Sequence, residues 1–323
     1  MKILVTGGLG FVGVNVVRAL ADHEGVQVIA ADMQPWDAAI ERFLAPVKTR
    51  IRYCRLDVRD ADSFAGLVAD EGVTHVIHAA AVTVNDEQEC TRAAEVVGVN
   101  LGGAINVLNS ALRCDHVERV LMLSSSGVYG APKRPPGRAQ REGGALDLTN
   151  LYAITKYSAE LLAARYGRLT GKPMASLRLS AVYGPMERLS ASRPNVSAIQ
   201  RLFCALCDQR PLRLAGPAVK RDWTYAADIG AAAWAMLHAP LWRHNVYNVS
   251  CGTALRFDEA AAAFSERGLA VTWVDDPDQA DVAMRPQQAR VALDIGRIQR
   301  DAGFRPAFSL GASIDDWLAW NSG

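Results

Sequence analysis

The stretch that decides the fold is "KILVTGGLGFVGVNVVRALAD", residues 2–22. It opens as a short apolar run with the composition of a buried strand. It then passes through a glycine turn and continues with the apolar spacing of a helix. Gly8, Gly10 and Gly13 fit the pattern G-x-G-x-x-G, and Gly7, Gly10 and Gly13 fit the related G-x-x-G-x-x-G. Such glycines let the backbone turn tightly and approach a pyrophosphate, whose charge meets the N-terminus of the following helix at Phe11, Val12 and Gly13. Glycine-rich turns are common, so context decides. Asp32 ends the next strand-like run, 19 residues after Gly13. A carboxylate there can bond a ribose 2′-OH and repels a 2′-phosphate. No arginine or lysine follows in "ADMQPWDA", so the pattern predicts NAD and not NADP as cofactor.

Working outward, the same alternation continues. Apolar strand candidates recur at "VQVIAAD", "IRYCRLDV", "THVIHAA", "RVLMLSSS" and "MASLRLSAVYG", with helical patterns between most of them, notably 91–114 and 152–170. Short continuous apolar strands separated by helices predict a parallel sheet covered on both faces, an α/β doubly wound fold. The chain has 323 residues, half of them apolar, enough for one large α/β domain or two lobes. A formal net charge of +1 gives no sign of a nucleic-acid surface. The basic stretch "PKRPPGRAQR", 132–141, reads as a solvated loop. No signal-peptide pattern and no apolar run of membrane-spanning length is present, which predicts a soluble, cytoplasmic protein without a membrane partner.

The six cysteines are scattered, which argues against a disulfide framework. Cys204 and Cys207 form one C-x-x-C with no second ligand pair, so zinc is not expected and half-buried helical cysteines are. His75 and His78 lie three apart on a strand and read as structural. No metal site is predicted.

In "NLYAITKYSAE", 150–160, Tyr152 and Lys156 are four apart on a helical pattern and share a face. A phenol ordinarily ionises near pH ~10, and a neighbouring cation favours the phenolate. Bringing it to neutrality takes about 4 kcal/mol, which a lysine and a positively charged cofactor can share.

Taken in order, "TGGLGFVG", "LDVRD", "HAAA", "VNLGGAINVL", "SSSGVYG", "YAITK", "LRLSAVYGP" and "KRDWTYAADI" resemble the extended short-chain dehydrogenase/reductase family, also called the NAD-dependent epimerase/dehydratase family. The resemblance covers nearly the whole chain. It implies a Rossmann sheet with a small C-terminal α/β substrate lobe. The NAD-binding domain would span 1–183 plus 223–250, and the lobe 184–222 and 251–323. It implies that Asp57 and Val58 hold the adenine, that Ala79, Ala80 and Ala81 line the cofactor, and that Asn100 supports the helix beside the site. Ser125, Tyr152 and Lys156 match the catalytic residues, with Ser125 placed three residues before Val128. Lys156 would also hold the ribose hydroxyls.

Family dehydratases carry an Asp-Glu pair after the serine. Here Ser126 and Gly127 stand there, which argues against 4,6-dehydration. Arg221 and Arg285 match arginines used against a substrate diphosphate, while a surface ion pair is the plain alternative for each. Ser126 and Asn195 are further substrate candidates. Two departures put a standard UDP-hexose in doubt: Ala181 replaces an asparagine, and "RPQQ" lacks the acid that often follows R-P. The implied activity is epimerisation of a nucleotide sugar through a transient ketone. A dehydrogenase releasing NADH and a non-catalytic NAD-binding regulator are the alternatives. By analogy the protein is a homodimer packing 91–114 and 152–170, with Ala104, Leu108, Ala159, Leu162 and Ala163 suited to the bundle.

Overall fold

The computed structural model describes residues 1–131 and 139–322. Most of the basic stretch 132–141 therefore lies outside the described residues. Six strands, β1 (Lys2–Thr6), β2 (Gln27–Asp32), β3 (Ile51–Arg55), β4 (His75–His78), β5 (Arg119–Ser125) and β6 (Met174–Leu179), join the Val246–Val249 strand in one sheet. The spatial order is Val246–Val249, β6, β5, β4, β1, β2, β3, and every pair is parallel. The chain leaves β1 outward to β2 and β3, then returns to start β4 on its other side. That reversal opens a crevice beyond the carboxyl ends of β1 and β4. Thr6 is in register with Ala31 and with His78, so Gly7, Asp32 and Ala79 emerge at one edge of the sheet.

Helices α1 (Phe11–Ala21), α2 (Ala38–Leu44), α3 (Ala61–Asp70), α4 (Asp86–Val97), α5 (Gly103–Arg113) and α6 (Leu151–Thr170) cover the sheet. One apolar core lies on the α1 side and another under α3, α5 and α6. A third core gathers Tyr183, Phe203, Trp223, Phe257 and Trp317, with the rings of Phe203 and Trp317 stacked 3.8 Å apart. Asn150 starts α6 by accepting from the Ala153 N–H at 2.8 Å, and Gly171 in the left-handed conformation ends it.

Three expectations need correction. The run "MASLRLSAVYG" is not one strand. It breaks at Ser180, whose hydroxyl bonds Thr224, and Ala181–Tyr183 leaves the sheet to pair with Trp223–Tyr225. Cys204 and Cys207 lie on helix α7 (Ala198–Cys207) but are exposed, because Ile199, Leu202, Phe203 and Ala205 supply its buried face. Ala104, Leu108, Ala159 and Ala163 are buried inside the subunit against α3, β4 and β5, with Leu162 packed beside them, so they cannot form a dimer face. Among the described residues, no helix is long and apolar enough to cross a membrane.

Candidate active site

The crevice is a cleft of about 390 Å³ running from Asp32 and Asp57 to Tyr152 and Lys156. Its floor is the glycine turn. Gly7 has φ +64°, and a Cβ there would lie 2.6 Å from the Ala80 backbone. A Cβ on Gly13 would lie 1.9 Å from the Gly7 carbonyl oxygen. No side chain fits at either position, so the turn sits directly against Ala79–Ala81. Helix α1 has Gly10 as its N-cap and no acid in its first turn, which leaves the N–H groups of Phe11 and Val12 without a side-chain partner. The Asp32 carboxylate accepts from Leu9 N–H at 2.9 Å, Gly10 N–H at 3.2 Å and Gln34 N–H at 2.9 Å. It thereby fixes the turn and faces the cleft. At the far end Asp57 is clamped by the Arg59 guanidinium and Val58 is held by Asn106. Unpartnered helix amides, a carboxylate at the end of β2 and a wall of alanines fit a dinucleotide.

Asn100 does not line the cleft. It is buried and spends both amide atoms on Val82 (2.7 and 3.0 Å), with a further bond to Thr155 Oγ1 at 3.2 Å. It ties the segment after β4 to α6.

Ser125 ends β5; its Oγ accepts from the Gly127 N–H at 3.0 Å, and its hydroxyl stands beside the Tyr152 phenol. Tyr152 occupies the first turn of α6. Lys156 is only 5% exposed; its ammonium donates to the Leu123 carbonyl at 2.8 Å and lies 5.8 Å from the Tyr152 ring centre. Burial pushes Lys156 down to about 8, with Glu160 pulling the other way. The expected acidification of Tyr152 by Lys156 is not found in the protein alone. Burial holds the phenol above its usual range, and the groups that pull it down are Ser125 and Arg193.

Arg193 was not singled out by its sequence context. It comes from the polar segment after "VYGP", which crosses the cleft as a strap. Asn15 holds the Pro185 carbonyl at 2.9 Å, Arg188 pairs with Asp37 at 2.7 Å, and the Thr83 N–H donates to the Ser192 carbonyl at 2.9 Å. Within the strap Glu187, whose side chain is fully buried, accepts from Arg193 at 2.6 Å and from Ser197 N–H at 2.8 Å. Arg193 then lies 4.9 Å over the Phe11 ring. A buried acid in a polar loop leaves no periodic signal.

The two sequence-chosen arginines part company. Arg221 is not paired with Asp222. Its neighbour's carboxylate points the other way, to the Leu293 N–H at 2.9 Å and the Cys251 thiol, and burial pushes it up to about 6. The Arg221 Nε is buried without a partner, and burial together with nearby Arg290 pushes the guanidinium down to about 10. Arg285 instead makes an exposed ion pair with Asp278 at 2.9 Å. The Arg290 guanidinium donates to the Gln287 and Ala289 carbonyls, and its backbone N–H donates to the Lys220 carbonyl. Among the described residues neither Arg221 nor Arg290 is in an ion pair. Ser126 begins a short 3-10 turn beside Ser125, and Asn195 is exposed in the strap's continuation.

His75 and His78 are buried and bonded to Thr74 and Thr6, and the described residues contain no cluster able to hold a metal.

Residues 3–250 match the NAD dependent epimerase/dehydratase family. The chain is 26% identical to dTDP-L-rhamnose 4-epimerase of Burkholderia thailandensis, over 99% of this chain and 94% of that one. It is 31% identical to a probable UDP-glucuronate 4-epimerase of Rhizobium meliloti, over 74% of this chain and 69% of that one. The UDP-glucose 4-epimerase of Thermotoga maritima has the same fold, with a TM-score of 0.82 at 18% identity over 100% and 99% of the two chains. With the cleft and the sequence match together, the chain belongs to the NAD-dependent epimerase/dehydratase family and is an NAD-dependent enzyme of the extended short-chain dehydrogenase/reductase type.

Proposed function

We propose that the protein epimerises a nucleotide sugar by transient oxidation of one sugar carbon. The observation that carries this reading is the pair Arg221 and Arg290. Two guanidiniums without a carboxylate partner, one with a buried unbonded Nε, suit the oxygens of a diphosphate. Arg290 takes the place that the sequence reading gave to Arg285. The NAD-binding domain is then 1–183 with 223–250, and the substrate lobe 184–222 with 251–323.

NAD, when bound, supplies a hydride acceptor that can also return the hydride. The chain's residues handle the proton and the geometry. Tyr152 takes the proton of the sugar hydroxyl, with Ser125 holding the reacting oxygen towards it. Lys156 holds the ribose hydroxyls, and Arg193 adds positive charge beside the phenol from the strap. Gly7, Gly10, Phe11, Val12 and Gly13 receive the pyrophosphate. Asp32 receives the adenosine ribose, and Asp57 and Val58 the adenine. Ser126 and Asn195 remain further candidates for contact with the sugar.

Ala181 favours a second reading, a dehydrogenase acting on a smaller sugar or sugar acid with net release of NADH. A panel of UDP- and dTDP-sugars beside free uronic and aldonic acids separates the two. Epimerisation predicts a product of inverted configuration without net NADH. Continuous NADH formation from a free acid would replace it with the second reading.

The proposed assembly is a homodimer. With the small residues of α5 and α6 buried internally, exposed apolar side chains remain for a second copy on α4, α5 and α6, among them Val97, Leu112, Ile154 and Leu161 at 40–54%. Ile154 and Leu161 are two turns apart on one side of α6. Leu161→Glu should shift the light-scattering mass from two chains to one.

A further inference from the structure

Behind the triad lies a buried polar chain that the reaction above does not use. Glu160 is 2% exposed and sits one turn beyond Lys156 on the same side of α6. Its carboxylate accepts from Ser124, the neighbour of Ser125, and from the Arg178 guanidinium at 2.6 and 2.9 Å. Arg178, 3% exposed on β6, also donates to the Tyr129 hydroxyl at 2.9 Å, and Tyr129 donates to Asn248 at 2.7 Å. Every member is satisfied. Replacing a buried ion pair by apolar residues is often neutral or stabilising, so stability is a weak reason for this one.

We infer that Glu160 is a positioning residue for the triad: through Ser124 it ties the end of β5 to α6, and it supplies the anion beside the buried Lys156 ammonium. Three catalytic side chains come from two elements, Ser125 from β5 and Tyr152 and Lys156 from α6. The Ser124–Glu160 bond joins those elements at the level of the site. The charged or titratable groups around Lys156 are Glu160 and Tyr152 on α6 and His78 on β4, with Arg178 beyond Glu160. Among the described residues, Glu160 is the one anion in this set. His78 is neutral at pH 7, since burial pushes it down to about 3. Loss of the Glu160 charge would leave the ammonium with one carbonyl, and it would give up its proton at lower pH.

The test is NADH binding, followed by fluorescence from pH 6 to 9.5, which does not depend on knowing the sugar. The wild type should lose affinity with a midpoint near 8 as Lys156 becomes neutral. Glu160→Gln should match the wild type at pH 6 and bind about five-fold more weakly at pH 8. If that variant does not fold, Glu160→Gln combined with Arg178→Met removes both buried charges and gives the same readout. Ser124→Ala should leave the midpoint in place. It should lower kcat for the sugar about ten-fold with KM unchanged, an arm that rests on the proposed function. A folded Glu160 variant with the wild-type midpoint would overturn the role beside Lys156. An Ser124→Ala enzyme with wild-type kcat would overturn the tie.

Discussion

The cofactor cleft and the proposed substrate lobe present opposite kinds of surface. The cleft is built from backbone and shape: glycines that admit no Cβ, unpartnered helix amides, and three alanines against the turn. The residues after Tyr183 offer long charged side chains instead: Arg221 and Arg290 close to each other, and Arg193, which the strap holds over Phe11. A backbone site tolerates no change of volume, whereas a guanidinium site tolerates volume change and not loss of charge. Substitutions in each region put the two rules to the test.

The largest effect belongs to the chemistry that both regions serve. Tyr152→Phe should lower kcat by about 10³-fold or more while leaving NAD binding in place, measured by product formation and by NADH fluorescence. Next comes the backbone site. Gly13→Ala puts a carbon where the Gly7 carbonyl oxygen lies and should cost about 1–3 kcal/mol of stability and most NAD affinity. Denaturant titration with and without NAD reads both. In the lobe, Arg221→Met and Arg290→Met should each raise KM for a nucleotide sugar roughly 10- to 100-fold with kcat little changed. Arg285→Ala should change KM less than about two-fold, because its partner is an exposed aspartate. If Arg285 proved the stronger of the three, the contrast between buried and exposed arginines would fail.

The last effect is on the pH dependence of stability. Burial holds His75 at about 4 and His78 at about 3, below the ordinary 6.5. Between those values and 6.5 the unfolded chain binds more protons than the folded one. Stability is therefore full above pH 6.5 and falls as the pH drops towards 4. The urea midpoint should drop between pH 7 and 5, and His78→Gln should reduce that slope.

The same contrast explains what could be read from the sequence. The turn at 7–13, Asp32 and the Tyr152–Lys156 pair are local patterns whose geometry follows from strand and helix periods, and they meet in one cleft. The lobe depends on contacts between distant positions. Arg221 and Arg290 are 69 residues apart, and nothing in "RPQQAR" marks which arginine turns inward. Glu187 looks like any charged loop residue until Ser197 and Arg193 close around it. The alanines of α5 and α6 suit a subunit interior as well as an interface, and the sheet takes them.

The most direct test of the central claim is turnover of a nucleotide sugar in D₂O with catalytic NAD. The account predicts product of inverted configuration in many-fold excess over NAD, no accumulated NADH and no deuterium on carbon, because the hydride leaves and returns without meeting solvent. Stoichiometric NADH, or deuterium at the inverted carbon, would contradict it.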